Sequence, residues 1–196
     1  MRVSRAQAEA NRETVINVAS RLFRQRGFDG IGLKELMQGA GLTQGGFYKQ
    51  FESKEDLEVQ ASRRAMEGAI TRWSAAASSS TNPLQAIVDL YLSAAHRGET
   101  GDGCPLVALG ADAARQSEEV RKPFQDGINA HLEVLEGLLA QGEEQAATAQ
   151  KAMAMLSMMV GAVTLARIVT DEALANCILE AASAEVMLLS ANTRQV

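Results

Sequence analysis

The segment from Ala152 to Val169 constrains the fold of this chain most, because it is apolar on every face of a helix. Such a helix has to be covered on both sides, and a second copy of the chain is favoured over complete burial within one subunit. The uncharged part, 152–166, includes Ser157, Gly161 and Thr164, so we interpret it as too short and too mixed to cross a bilayer. The segment therefore predicts a homodimer outside the membrane.

The rest of the chain also has the period of helices, and no strand-like alternation is present. Three prolines and 4% aromatic residues favour helix over strand. Apolar spacing and capping residues predict an all-α fold of about nine helices, over 11–26, 33–40, 43–48, 53–76, 83–97, 105–115, 118–140, 145–169 and 171–191. Pro123 would lie two turns inside the seventh helix, which either kinks there or begins later.

Several classes of protein are disfavoured by the residues present. Two cysteines, Cys104 and Cys177, are too few for a disulfide scaffold, and the N-terminal residues lack the apolar region of a signal peptide. We expect a cytoplasmic protein with reduced thiols. Motifs for phosphate loops, catalytic triads and zinc sites are missing, and His96 and His131 are isolated from other ligands. We therefore expect no enzyme activity, no metal site and no cofactor.

Residues 33–51 carry the pattern that points to function. Two short helices flank a turn at Gly41, and the amphipathic helix 11–26 precedes them. Apolar residues such as Leu36 and Phe47 can pack the two helices together. This is the arrangement of a helix-turn-helix, whose second helix enters the major groove of DNA by its N-terminal end.

Two consecutive glycines, Gly45 and Gly46, stand at the leading end of that second helix beside Thr43 and Gln44. Each glycine costs a helix about 1 kcal/mol relative to alanine. The pair indicates either a loose loop or a backbone that must approach DNA closely. The second interpretation is favoured, because aromatic residues anchor the chain that follows.

Residues 13–57 resemble the DNA-binding region of the TetR (tetracycline-repressor) family of one-component bacterial regulators. The residues that carry the resemblance are Ala19, Leu22, Phe23, Gly27, Phe28, Leu36, Ala40, Gly41, Leu42, Phe47, Tyr48, Phe51, Ser53, Lys54 and Leu57. The resemblance implies a homodimer with a DNA-binding domain at 1–57 and a ligand-binding and dimerisation domain at 58–196. Helices 145–169 and 171–191 would hold the dimer together.

By position in the motif, the resemblance implies that Thr43, Gln44 and Gly46 face the groove, while Tyr48 and Lys54 contact phosphates. The chemistry agrees: glutamine pairs with adenine, threonine touches a thymine methyl group, and tyrosine and lysine bind phosphate. Lys49 reads a base edge or is a solvated charge, with neither favoured. The candidate DNA-binding residues are Thr43, Gln44, Gly45, Gly46, Tyr48, Lys49 and Lys54.

The C-terminal domain holds the candidates for an effector pocket. Methionine adapts to varied apolar ligands, and tryptophan, tyrosine and histidine add polar groups. The candidates are Met66, Trp73, Tyr91, His96, Cys104, Phe124, His131, Met155 and Met159. Plain core packing is the alternative, and it is favoured for any single methionine.

Cys104 precedes Pro105 at the predicted N-cap of a helix, where the helix dipole favours the thiolate, although Asp102 opposes this. Some regulators similar to this chain sense electrophiles or oxidants through a cysteine in a comparable segment. A structural role for Cys104 is the alternative and is favoured.

The net charge of −5 divides unevenly along the chain. Residues 1–57 hold 9 Lys and Arg against 7 Asp and Glu, whereas the remainder holds 10 against 17. A mildly basic head and an acidic body fit a DNA-binding regulator. The sequence thus predicts a repressor that binds a palindromic operator as a homodimer and is released by a small apolar or amphipathic effector, or alternatively through Cys104 by an oxidant or electrophile.

Overall fold

The computed structural model describes residues 4–139 and 145–191, which form helices and no strand. The elements are α1 (Arg5–Arg26), α2 (Leu33–Gly39), a 3-10 helix (Gln44–Lys49), α3 (Lys54–Ser78), α4 (Pro83–Tyr91), α5 (Ala94–Gly98), α6 (Pro105–Ala113), α7 (Glu118–Leu139), α8 (Gln145–Ile168) and α9 (Glu172–Ala191). The predicted all-α class is confirmed. The described residues form ten helices where about nine were predicted.

The prediction of one helix over 83–97 is wrong, because the chain breaks between α4 and α5. The Ser93 hydroxyl accepts a hydrogen bond from the His96 N–H at 3.1 Å and donates one to the Leu90 carbonyl at 2.9 Å. A serine that bonds locally in this way offers the backbone an alternative to helix and caps a new one.

Helix α7 begins at Glu118 and continues through Pro123, so a later start is excluded. The Ser117 hydroxyl accepts from the Val120 N–H at 3.4 Å and fixes the helix start before the proline. At the other end of the chain, Ser4 caps α1, which begins at Arg5 and so before the predicted start at residue 11. The predicted end of α7 at 140 lies outside the described residues.

One compact unit comprises residues 1–68 and 100–125. The apolar stripe predicted on α1 forms part of its core, because Val15, Ala19 and Phe23 are at most 1% exposed. The core residues from the following elements are Phe28, Ile31, Leu36, Met37, Phe47, Phe51, Leu57, Ala61, Met66, Leu109, Ala113, Val120 and Phe124. Whether function divides at residue 57 stays a prediction.

The second compact unit comprises residues 69–99 and 126–196 and is dominated by the packing of α8 against α9. One face of α8 is buried, including Met155 and Met159. The opposite face is not, since the side chains of Leu165 and Ile168 are 55% and 70% exposed. The chain thus covers only part of the apolar segment 152–169.

By length and composition alone, α8 and α9 could each cross a membrane, with a mean hydropathy of 1.4 for both. The uncharged stretch 152–166 alone is too short to cross a bilayer, but the whole of α8 is long enough. Core helices of soluble proteins pass the same test, and α8 and α9 pack against one another here.

Candidate DNA-binding site

The turn between α2 and the 3-10 helix is built around Gly41, whose φ is +71°. The Leu42 N–H donates to the Met37 carbonyl at 2.8 Å, and the Gly41 N–H donates to the Gln38 carbonyl at 2.9 Å. This pair of bonds is a Schellman motif, which ends a helix with a left-handed residue best supplied by glycine. The predicted turn glycine is confirmed, and the motif aims the chain into the next helix.

We call residues 43–49 the recognition segment. Phe47 is fully buried and stacks on Phe51 with ring centroids 5.3 Å apart, so the segment is anchored from inside. Tyr48 lies on the opposite side, 72% exposed, and contacts the edge of the Phe47 ring at 5.1 Å. Thr43, Gln44, Gly45 and Lys49 are also exposed, and Gly46 is half-buried. One face of the segment therefore packs and the other is available to a partner.

The two glycines of the recognition segment are not required by the chain itself. A Cβ placed on Gly45 would meet nothing within 4 Å, and one on Gly46 would lie 3.8 Å from the Met37 Cε. Neither glycine has a positive φ. The segment is a 3-10 helix rather than a loose loop, and its poorer hydrogen-bond geometry suits a sequence of low helix propensity. Neither steric crowding within the chain nor backbone conformation therefore requires glycine at positions 45 and 46.

A capping box begins α3 directly after the recognition segment. The Ser53 hydroxyl accepts from the Asp56 N–H at 3.0 Å, and the Asp56 carboxylate accepts from the Glu52 N–H at 3.1 Å. The pattern Ser53-x-x-Asp56 thus forms a capping box, in which the aspartate reaches one residue further back than the usual glutamate does.

Lys54 has partners inside its own unit. Its ammonium donates to the Phe28 carbonyl, lies 3.5 Å from Glu58 Oε1 and is 5.9 Å from the centroid of the Phe23 ring. Burial raises the pKa of the Glu58 carboxyl, and the Lys54 charge partly opposes that rise. These contacts join the loop after α1 to the start of α3. The phosphate contact expected of Lys54 stays a prediction.

Arg12 was not singled out by the sequence reasoning, yet it supports the recognition segment. Its Nε donates to the Gln50 carbonyl at 3.3 Å, and its guanidinium lies 5.2 Å from the centroid of the Phe51 ring. Arg12 thereby holds the residues that follow the segment against α1. Because 38 residues separate the two groups, no local sequence signal could have revealed the contact.

Four of the pocket candidates come together in the second unit. The Trp73 ring lies 4.6 Å from that of His131 and 5.7 Å from that of Tyr91, which in turn is 4.6 Å from His96. Burial lowers the pKa of both histidines, although each donates a hydrogen bond to a backbone carbonyl that opposes the shift. We call these four residues the ring cluster.

The remaining candidates are divided between the units. Met155 and Met159 are buried on α8 in the second unit, whereas Met66, Phe124 and Cys104 belong to the first. Cys104 is 2% exposed and is the N-cap residue of α6, as expected. Cys177 is exposed on α9. A role in effector binding stays a prediction for every candidate.

Two family models match the chain. The model for bacterial regulatory proteins of the tetR family matches residues 15–60. The model for the C-terminal domain of LmrA/YxaF-like transcriptional regulators matches residues 80–180. The two matches fall on the helix-turn-helix and on the helical region that follows.

Two similar proteins are also HTH-type transcriptional regulators. The HTH-type transcriptional repressor NemR of Escherichia coli is 31% identical over 137 residues, which cover 68% of this chain and 69% of that protein. The HTH-type transcriptional regulator LmrA of Bacillus subtilis is 25% identical over 154 residues, which cover 76% and 82%.

Solved structures agree over nearly the whole chain. The reduced form of E. coli NemR superposes with a TM-score of 0.76 at 27% identity, covering 90% of this chain and 95% of that one. A TetR transcriptional regulator from Chloroflexus aurantiacus gives 0.79 at 25% identity, covering 97% and 98%. With its helix-turn-helix, its exposed recognition segment and these matches, the chain belongs to the TetR family of transcriptional regulators.

Proposed function

We propose that the chain is a cytoplasmic repressor that binds a palindromic operator as a homodimer and is released by a small effector. The observation that carries the proposal is the recognition segment, which exposes Thr43, Gln44 and Tyr48 on a buried aromatic anchor. Side chains of these types bind base edges and phosphates. The repressors among its relatives support the direction of regulation.

Within the recognition segment, the proposed roles differ. Gln44 and Thr43 would read base edges, and the Tyr48 hydroxyl would bond a phosphate oxygen. The chain leaves space for a Cβ at Gly45 and Gly46, so the fold itself does not require glycine there. The absence of side chains would instead let the backbone approach the groove of the DNA. Lys49 is exposed and adds positive charge at the same face.

Lys54 is proposed to hold the start of α3 against the loop after α1, because its ammonium already contacts the Phe28 carbonyl and Glu58. A direct phosphate contact is the alternative. The two roles differ in the salt dependence of DNA binding, because only a phosphate contact releases a counterion.

Dimerisation is proposed through α8 and α9, matching the predicted helices 145–169 and 171–191. Leu165 and Ile168 on α8 and Leu174 and Leu188 on α9 are each 48% or more exposed. Large apolar side chains left exposed on two adjacent helices favour association with a second copy. Such a dimer would present two recognition segments to successive major grooves, about 34–36 Å apart.

An effector would act by favouring one arrangement of the two heads over another. A ligand shifts such an equilibrium only by its difference in affinity for the two states, so it need not touch DNA. The ring cluster and the buried methionines of α8 are the proposed region of effector binding in residues 58–196.

The test is a gel shift of the purified full chain on the DNA upstream of its own gene, at moderate salt. A sequence-specific shift that survives excess random DNA is expected, and Gln44→Ala should weaken it. Gln85→Ala, an exchange of the same type on α4, is the matched control and should leave the shift unchanged. A wild-type protein that binds the upstream region no better than random DNA contradicts the proposal.

The second candidate function is release by an oxidant or electrophile through Cys104. The observation that favours it is the place of Cys104 at the N-cap of α6. The NemR relative was crystallised in a form described as reduced.

N-ethylmaleimide distinguishes this route from a non-covalent effector. Cys177 is exposed and reacts with the same reagent, so Cys177→Ser provides the background. If Cys104 is the sensor, N-ethylmaleimide releases DNA from Cys177→Ser but not from the protein that also carries Cys104→Ser. Release from both proteins excludes the cysteine route.

A further inference from the structure

The Nε2 atom of His131 is a buried polar atom of the ring cluster that no described residue satisfies. His131 is 0% exposed, and its Nε2 has no hydrogen-bond partner among the residues that the structure describes. Its Nδ1 lies 2.6 Å from the Gly127 carbonyl oxygen, one turn back on α7. A buried polar atom without a partner costs roughly 1–3 kcal/mol, so it calls for an explanation.

The bond to Gly127 fixes the chemical character of the unpartnered atom. A carbonyl oxygen can only accept, so Nδ1 carries the proton and donates. Burial lowers the pKa of the ring and keeps the imidazole neutral near pH 7. The second nitrogen, Nε2, therefore presents a lone pair and acts as an acceptor.

The surroundings of His131 determine what could reach that acceptor. The Trp73 ring lies 4.6 Å away and nearly perpendicular, and the Tyr91 ring lies 5.7 Å from that of Trp73. Trp73 and Tyr91 are each 3% exposed. A partner for Nε2 has to fit among aromatic rings, away from water, and has to bring a hydrogen-bond donor.

We infer that the ring cluster takes a neutral apolar molecule carrying a hydroxyl group, which donates its hydrogen bond to Nε2 of His131. This inference rests on the proposed function, since it names the chemical class of the effector. An anion is disfavoured because a lone pair repels it, and an apolar molecule without a donor leaves Nε2 unsatisfied. Sites that bond a hydroxyl reject analogues without one for that reason.

The probe pair is 4-methylphenol and 4-methylanisole, which differ by one methyl group that removes the donor. Calorimetric titration of the full-length protein is expected to show tighter binding of 4-methylphenol, by roughly tenfold for one buried hydrogen bond. His131→Phe keeps a ring of similar size without the acceptor, and the preference should disappear. Gln85→Ala, on α4 outside the ring cluster, is the control and should keep the preference. His96→Phe removes the other histidine and serves only to assign its NMR signal.

Nitrogen NMR of the unmutated protein tests the same point should either variant fail to fold. The chain has two histidines, so ¹⁵N-histidine labelling gives few signals. On adding 4-methylphenol, the signal of one unprotonated Nε2 should move toward the position of a hydrogen-bonded nitrogen, while 4-methylanisole should leave it in place. Whichever histidine variant folds assigns the signal.

Equal binding of the two probes, binding of neither, or an Nε2 signal that does not respond would each overturn the inference. Failure of the proposed function is recognised separately by gel shift. A protein that shows the NMR response yet keeps its DNA in the presence of 4-methylphenol supports the site and contradicts release by this class of effector.

Discussion

Replacing Gly45 with alanine separates the requirements of folding from those of DNA binding. A Cβ at this position meets nothing within 4 Å and the backbone has no positive φ, so the folded chain accommodates a methyl group without strain. Glycine to alanine at such a site reduces the entropy of the unfolded chain. We expect the free energy of unfolding to rise by about 0.4–1 kcal/mol.

The same methyl group projects from the exposed face of the recognition segment. If the backbone at Gly45 approaches the DNA groove closely, the added methyl group pushes the backbone away from the DNA and weakens a contact worth roughly 1–3 kcal/mol. The dissociation constant for operator DNA should then rise by about 5- to 150-fold. Urea denaturation and fluorescence anisotropy on operator DNA measure the two effects on one preparation. Gly110→Ala, at a helical glycine of α6 with equal space, is the control: it should raise stability by a similar amount, about 0.4–1 kcal/mol, and leave DNA affinity unchanged.

An unchanged dissociation constant for Gly45→Ala would refute the close approach of the backbone. Loss of stability would refute the structural part of the reasoning, because it would mean that the chain itself requires this glycine. Only increased or unchanged stability together with weaker DNA binding agrees with the proposed role.

Four further variants test separate contacts. Tyr48→Phe removes one hydroxyl from an exposed ring and should weaken operator binding several-fold in anisotropy titrations without changing stability; equal affinity contradicts a phosphate contact. Lys54→Met should lower stability in urea and leave the slope of log K against log salt unchanged, whereas a phosphate contact predicts a slope smaller by about 0.9. Ile168→Glu places a charge on an exposed apolar face of α8 and should give a monomer in sedimentation, while an intact dimer excludes this face. Burial lowers the pKa of His131, so the unfolded protein binds a proton there at a higher pH than the folded protein does, and stability should fall as the pH drops below about 6.5. His131→Phe should reduce that fall, by at most about 1.4 kcal/mol per pH unit. An identical pH profile of stability for the variant contradicts a lowered pKa for His131.

Local signals sufficed for much of the helical architecture. The stripe on α1, the glycine that ends α2 and the capping box at Ser53 each depend on neighbours within a few residues, and each lies where the pattern indicates. The break at Ser93 is also local, but serine is tolerated inside helices as well as at their caps. Composition alone could not decide which of the two occurs.

The interior of the candidate sites depends on contacts between distant residues. Lys54 approaches the Phe28 carbonyl across 26 positions, so a lysine that the motif assigns to phosphate has internal partners that no spacing reveals. The ring cluster joins four helices. The sequence identifies its members as candidate pocket residues, but the contacts between their rings depend on tertiary packing. The tautomer of His131 depends on its hydrogen bond to the Gly127 carbonyl.

Operator recognition by the exposed recognition segment is the central claim, and DNase I footprinting on the DNA upstream of the chain's own gene tests it most directly. The account predicts protection of a palindrome whose half-sites are about one helical turn apart or a multiple of it, lost on Gln44→Ala at a protein concentration that fully protects with the wild type. Uniform weak protection without a palindrome, or an unchanged footprint for Gln44→Ala together with Tyr48→Phe, would contradict it.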